Sequence, residues 1–313
     1  MITYWQKNDI FIQLPKFENG CWMDVTNPTN EEIDYLVNEF KIPNDFITDI
    51  LDTDELSRIE IEGKWMLIIL RIPVSNNNNN SNINTPFYTI PLGALISNQC
   101  IITVCSIENE IIKDIQNPQR GRIANISDRI HFILNLLLKT ANLYLRYLKQ
   151  INIITTQIEN DLELATRNAE LNRLLRMDKC LVYFMTSLKS NELVLSKLRS
   201  SKIIKESDMI EDLLEDVIIE NRQALEMAKV YSDLQASRME TFASVISNNL
   251  NAVMKRLTSV TIILMIPTLV ASLFGMNLIN YLEENKYGFL IVTFISFVLT
   301  IFGVMLFRKK DWF

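Results

Sequence analysis

Asn251, Met254, Leu257, Thr258, Thr261, Met265, Thr268, Ser272 and Gly275 follow one another at steps of mostly three and four. On an α-helix that spacing gathers amide, thioether and hydroxyl groups into one stripe, while Ile262, Ile263, Leu264, Leu269, Val270 and Leu273 fall largely outside it. Such a stripe has two uses, and spacing alone does not choose between them. It can line a polar path through a bilayer, or it can let helices pack closely through small hydroxyl residues. Upstream, Asp208, Asp212, Asp216 and Glu220 stack at i, i+4, with Glu206, Glu211 and Glu215 beside them. Like charges at that spacing repel by ~0.2–0.5 kcal/mol per pair. The run is either a solvated face, favoured by acids near a helix amino terminus, or a surface where hard divalent cations bridge carboxylates of neighbouring helices or subunits.

Other chemistries are poorly supplied. The only histidine, His131, sits in HFILNLLLK, which suits a core or interface position better than a general base. Cys21, Cys100, Cys105 and Cys180 show neither C-x-x-C nor His-paired metal spacing and read as reduced thiols in apolar surroundings. No P-loop is present. An enzyme is therefore not expected. Lys and Arg number 31 against 37 Asp and Glu, a net charge of -6, so no basic surplus exists for nucleic acid. At 313 residues and 48% hydrophobic composition the chain can bury a sizeable core. The first ten residues lack a basic stretch followed by an apolar one, so no signal peptide is expected.

The elements that must position these residues follow from the seven glycines and eight prolines. They punctuate residues 1–121 and 267–313, and residues 122–266 contain neither. Such a gap predicts a few very long helices with short polar breaks, the best near Ser200 and Ser201. The last helix is expected to run unbroken over about residues 207–274, on the order of 100 Å at the α-helical rise. Before the gap the pattern is α+β. Residues 2–14 and 21–25 read as strands, and Thr29 with Glu32 forms a capping box opening a helix through Phe40. A short helix is expected over 44–52, and hairpins over 58–74 and 87–105. Residues 75–84, SNNNNNSNIN, are a polar insert that buries nothing.

Residues 257–282 and 287–307 carry no charge, each run exceeding the ~20 residues that span a bilayer. Lys255 and Arg256 precede the first run, and Arg308, Lys309 and Lys310 follow the second, so both termini are expected on the cytoplasmic side. The expected sections are a cytoplasmic α+β domain (1–121), long cytoplasmic helices (122–256), a transmembrane hairpin (257–307) and a basic-aromatic tail (308–313). Two helices of one chain enclose no hydrated path, so any pore needs an oligomer.

Gly275-Met276-Asn277 closes the first span, ahead of a short loop, a second span and the tail RKKDWF. In that setting the chain resembles the CorA family of divalent-cation channels, with NAVMKRLT entering the span and SRIEIEGKWMLIILRIP and LISNQCIITV near the amino-terminal sheet. The resemblance implies a homopentamer in the cell (plasma or inner) membrane, with first spans inside and second spans outside. It implies Gly275, Met276 and Asn277 at the external mouth, and Asn251, Met254, Leu257, Thr261, Met265 and Thr268 lining the pore. Met254 and Leu257 would form a hydrophobic gate that closes by dewetting. Glu240 matches a frequent intersubunit regulatory metal site, and Glu283 and Glu284 are the outer-loop acids. Magnesium would be carried and would also act as regulator, closing the channel from the cytoplasm, with cobalt or nickel as further cargo. Magnesium sheds water reluctantly, and neutral oxygens suit the hydrated ion. The loop departs from the family's Met-Pro-Glu-Leu, having Tyr281, Leu282, Glu283 and Glu284. Two alternatives stand beside this reading: a zinc or other transition-metal transporter of the same architecture, and a membrane-anchored helical scaffold.

Overall fold

The computed structural model describes residues 1–7, 11–76, 84–117, 129–164, 168–201, 208–276 and 287–310. The chain divides into two compact units, Met1–Ala236 and Ser237–Phe313.

The first unit is built on a seven-stranded sheet. Strands β1 (Ile2–Lys7) and β2 (Phe11–Leu14) pair antiparallel, so the segment read as extended over 2–14 is a hairpin, with Tyr4 opposite Leu14. β3 (Trp22–Thr26) follows, then β4 (Arg58–Glu62), β5 (Trp65–Ser75), β6 (Phe87–Ile96) and β7 (Ile101–Cys105). Their order across the sheet is β2-β1-β3-β7-β6-β5-β4. All neighbours are antiparallel except β3 and β7, which run parallel with Trp22 opposite Ile101 and Thr26 opposite Cys105. Gly63, at φ +58°, turns β4 into β5. β7 lies inside the sheet with every residue buried, which is why IITVC is continuously apolar apart from Thr103.

One face of the sheet is covered by α1 (Asn30–Phe40) and α2 (Asn44–Leu51). The capping box is made as expected: the Glu32 amide donates to the Thr29 hydroxyl at 3.3 Å, and the Thr29 amide donates to the Glu32 carboxylate at 2.9 Å. Alternate strand residues Met23, Val25, Trp65, Leu67, Ile69, Ile102 and Val104 meet Leu36, Phe46, Ile47 and Ile50 in one core. Burying such a side chain contributes roughly 1.5–3 kcal/mol. At Gly93 the helix comes so near that an added Cβ would lie 2.2 Å from Ile50 Cδ1.

The opposite face receives α4 (Arg129–Leu164) and α5 (Asn168–Ser200), as the ring contacts Trp22–Phe132 (5.2 Å) and Phe87–Phe184 (6.3 Å) record. A further helix, α3 (Glu110–Gln116), was not expected from the sequence; Asn109 caps it, its side-chain oxygen accepting from the Ile112 amide at 3.0 Å. The expected break at Ser200 is where α5 ends. Of the polar insert at 75–84, Ser75 ends β5 opposite Phe87 and the Asn76 backbone amide donates to the Pro86 carbonyl at 2.8 Å, while residues 77–83 lie outside the described residues.

A buried arginine ties these layers together. Arg71 on β5 donates to the carbonyls of Thr53 (2.9 Å), Glu55 (2.7 Å) and Thr89 (3.0 Å), and to the Ser187 hydroxyl of α5 (3.2 Å). Its own carbonyl accepts from Tyr144 of α4 (3.0 Å) and the Asn191 amide of α5 (2.9 Å). Burial lowers the pKa of this guanidinium. Among the described residues, carbonyl and hydroxyl dipoles rather than a direct ion pair solvate its charge.

The long helix α6 (Asp208–Phe274) is continuous as expected, with Pro267 inside it, and the boundary between the units falls within it. The second unit holds the rest of α6 and α7 (Gly288–Lys309).

Candidate functional site

In the second unit two helices are long and apolar enough to cross a membrane. Only 11% and 6% of their most apolar windows are buried, whereas the core helix of a soluble protein would be mostly buried. Gly303 of α7 lies against α6, where an added Cβ would be 2.9 Å from Ile266 Cδ1. The least exposed residues of this part of α6 are Ser259, Ile263, Ile266, Pro267, Val270 and Phe274, at steps of mostly three and four; those of α7 include Gly288, Val292, Ser296 and Gly303. These spacings define one contact face on each helix.

The polar stripe of α6 lies on the other side. Leu257, Thr261, Met265, Thr268 and Ser272 each stand two residues from a member of the contact face, which is ~200° around an α-helix. Every residue from Asn251 along the stripe is exposed, including Met254 (51%), Leu257 (59%) and Met265 (61%). The structure thus gathers Asn251, Met254, Leu257, Thr258, Thr261, Met265, Thr268, Ser272 and Gly275 on one open face and leaves it uncovered by α7.

The hydroxyls on this face have a defined polarity. Thr261 donates to the Leu257 carbonyl at 2.9 Å, and Thr268 donates to the Met265 carbonyl at 2.8 Å. With the hydrogen committed to the helix, each oxygen keeps lone pairs as an acceptor. Gly275 ends the helix, its amide donating to the Ala271 carbonyl at 2.9 Å, and Met276 follows, exposed. Asn277, Glu283 and Glu284 lie outside the described residues.

Glu240 is exposed on α6, and among the described residues no group of three His, Cys, Asp or Glu comes together within the chain. Of the acidic run, Glu215 pairs with Arg199 of α5 at 3.4 Å, while Asp212 and Asp216 line a groove with His131, Asn135, Lys139 and Asn142 of α4. The cysteines are all free and buried. Burial pushes the thiols of Cys100 and Cys105 up to about 11 and that of Cys180 to about 12, which leaves them as apolar packing groups rather than nucleophiles.

Sequence reasoning missed Asp24, a carboxylate buried on β3. Its oxygens accept from the hydroxyls of Thr103 (2.9 Å) and Thr26 (3.3 Å) and from the Gln116 amide (3.4 Å). Desolvation raises its pKa, only partly offset by those three donors. The WMDVT pattern places Asp24 on the same side of the strand as Trp22, a signal that could have marked it as buried.

The model of the CorA-like Mg2+ transporter protein family matches residues 17–309 of the chain. The chain belongs to this family. CorA proteins are transporters, so it is not an enzyme, and its place is in a membrane. The cobalt/magnesium transport protein CorA of Methanocaldococcus jannaschii is 27% identical over 301 residues, which cover 93% of this chain and 90% of that protein. The magnesium transport protein CorA of Helicobacter pylori is 24% identical over 297 residues, again 93% and 90% of the two chains. The complete solved structure of the M. jannaschii CorA magnesium transporter superposes with a TM-score of 0.84 at 24% identity, covering 100% of this chain and 99% of that one. The CorA fold therefore extends over the sheet, the long helices and the two spans.

Proposed function

We propose that this protein is a channel carrying magnesium, with cobalt or nickel as further cargo, into the cell down the membrane potential. The observation that carries the reading is the open stripe of α6: amide, thioether and acceptor hydroxyl groups lie opposite the face occupied by α7. The transport names of the M. jannaschii and H. pylori relatives support the same cargo.

In this reading five copies place their α6 stripes around one axis, with the α7 helices outside and both termini in the cytoplasm. Asn277, with Gly275 and Met276, forms the outer mouth, and Glu283 and Glu284 attract cations to it. Asn251, Thr261 and Thr268 offer neutral oxygens to an ion that keeps its water shell. Met254 and Leu257, one turn apart, form the constriction that excludes water when shut. A divalent ion gains ~4.6 kcal/mol per 100 mV of inside-negative potential, twice the single-charge value, so no nucleotide is needed. Cytoplasmic magnesium closes the path by binding between subunits, with Glu240 contributing, because a ligand that prefers the closed state shifts the population toward it. Residues 1–121 and 122–256 serve as the sensing part, 257–307 as the conducting part and 308–313 as its cytoplasmic end.

The test is reconstitution in liposomes with an internal magnesium dye. Inside-negative potential should drive magnesium entry, and Asn277→Ala should abolish it while the oligomer still elutes intact. Normal flux through an assembled Asn277→Ala protein would reject the role of that residue, and zinc flux without magnesium flux would reject the cargo.

A further inference from the structure

The basic residues flanking the two spans share one end of the helical pair. Lys255, Arg256, Arg308, Lys309 and Lys310 are all exposed, and among the described residues none takes part in an ion pair. The nearest acids in the sequence are Glu240 before the first group and Asp311 after the second, which leaves a clear positive excess.

Their placement follows from the contact between the helices. Lys255 stands four, eight, eleven and fifteen residues before Ser259, Ile263, Ile266 and Val270; Arg256 stands seven and eighteen before Ile263 and Phe274. At ~100° per residue both therefore continue the α7-facing side of α6, away from the polar stripe. The contact of Gly303 with Ile266 sets the level. From it, the α6 pair lies ~15 Å toward the amino end, and Arg308 to Lys310 lie ~8–10 Å toward the carboxyl end of α7. Two touching helices joined by a short loop run antiparallel, so these directions coincide. The cations gather at one end of the hairpin, with the α6 pair just beyond the end of α7. Above them α7 exposes Phe302, Met305 and Leu306. A bias of charge toward the cytoplasm needs no preferred helix face; here Lys255 and Arg256 on the α7-facing side of α6 and Lys310 on the α6-facing side of α7 bring three cations to one place.

We propose that this end of each hairpin binds the headgroup phosphate of an anionic phospholipid, with Lys255 and Arg256 on one helix and Lys310 on the other, seven residues after Gly303 and so on the α6-facing side of α7, as its partners. Guanidinium groups meet phosphate oxygens in paired hydrogen bonds, and the acyl chains would run along the exposed apolar surface of α7. The proposal rests on the membrane-spanning reading and not on which ion is carried.

The full-length protein would be purified into nanodiscs of phosphatidylcholine with increasing phosphatidylglycerol, and co-released lipid counted by native mass spectrometry. Wild type should retain phosphatidylglycerol selectively, and millimolar inorganic phosphate should not displace it. The Lys255→Gln/Arg256→Gln protein should lose about fivefold in apparent affinity per cation, roughly 25-fold together, while Lys149→Gln in the cytoplasmic unit keeps the wild-type value. Lys310→Gln gives the same readout should the double variant fold poorly, and flotation with vesicles separates lost membrane insertion from lost lipid preference. Equal retention by wild type and an inserted variant would overturn the proposal, as would displacement by inorganic phosphate or no preference for the anionic lipid.

Discussion

Single side chains here are set by what surrounds them more than by their type. Asp24 accepts from three neutral donors, yet desolvation outweighs them and its pKa is raised. The folded state therefore holds the Asp24 proton to a higher pH than the unfolded chain does. Between the ordinary carboxylate value and the raised one the native protein binds more protons, so stability falls as pH rises through that window. Asp24→Asn should remove this part of the slope, which thermal melts of both proteins from pH 4 to 7 would reveal; an unchanged slope would contradict the sign. Asp24 and Arg71 were hard to read in the sequence for one reason. Each interrupts an apolar strand, in WMDVT and WMLIILRIP, and although alternation puts Asp24 on the face of Trp22, it does not show the donors and acceptors, distant in sequence, that solvate a buried charge. The stripe of α6 was legible because helical spacing alone fixes a face, whereas the mouth residue Asn277 rests on the family resemblance.

At the scale of elements, Gly93 sets how near α2 comes to the sheet and Gly303 how near α7 comes to α6. A methyl at Gly303 would press on the flexible end of Ile266, so Gly303→Ala should assemble almost normally into the proposed pentamer, while Gly303→Leu should push α7 off α6 and lose that assembly on size exclusion. Ile266→Ala combined with Gly303→Leu should recover part of the assembly, an interaction that independent sites would not show. Arg71 joins strand to helices in the other unit. Arg71→Met leaves the Thr53, Glu55 and Thr89 carbonyls short of a donor, at ~1–3 kcal/mol for each buried group left unsatisfied. Denaturant titration should thus show a loss on the order of 3 kcal/mol or more. Helices and hairpins were readable from caps, turns and period. The helix over residues 110–116 was not, because its seven residues give the period barely two turns; Asn109 ahead of Ile111, Ile112 and Ile115 was the available sign. The parallel pairing of β3 with β7 was likewise invisible, since alternation along a strand says nothing about its neighbour.

For the molecule as a whole, the proposed closing by cytoplasmic magnesium is the property that would distinguish a regulated channel from a leak. Raising magnesium inside the liposomes should slow entry in wild type beyond the loss of gradient. Glu240→Gln should need severalfold more internal magnesium for the same slowing, since removing one carboxylate weakens a hard-cation site. Identical closing curves would remove Glu240 from the sensor.

The pairing of β3 with β7 also orders events during synthesis. The amino-terminal hairpin and β3 have no route into the rest of the sheet until residues 101–105 have been made. By Ser200, α4 and α5 are available for the second face, and the first uncharged span begins only at Leu257. At ~5–20 residues per second that leaves several seconds or more after the sheet can close. The ribosome therefore delivers a chain whose sheet and covering helices have had time to pack before any apolar segment asks for a bilayer.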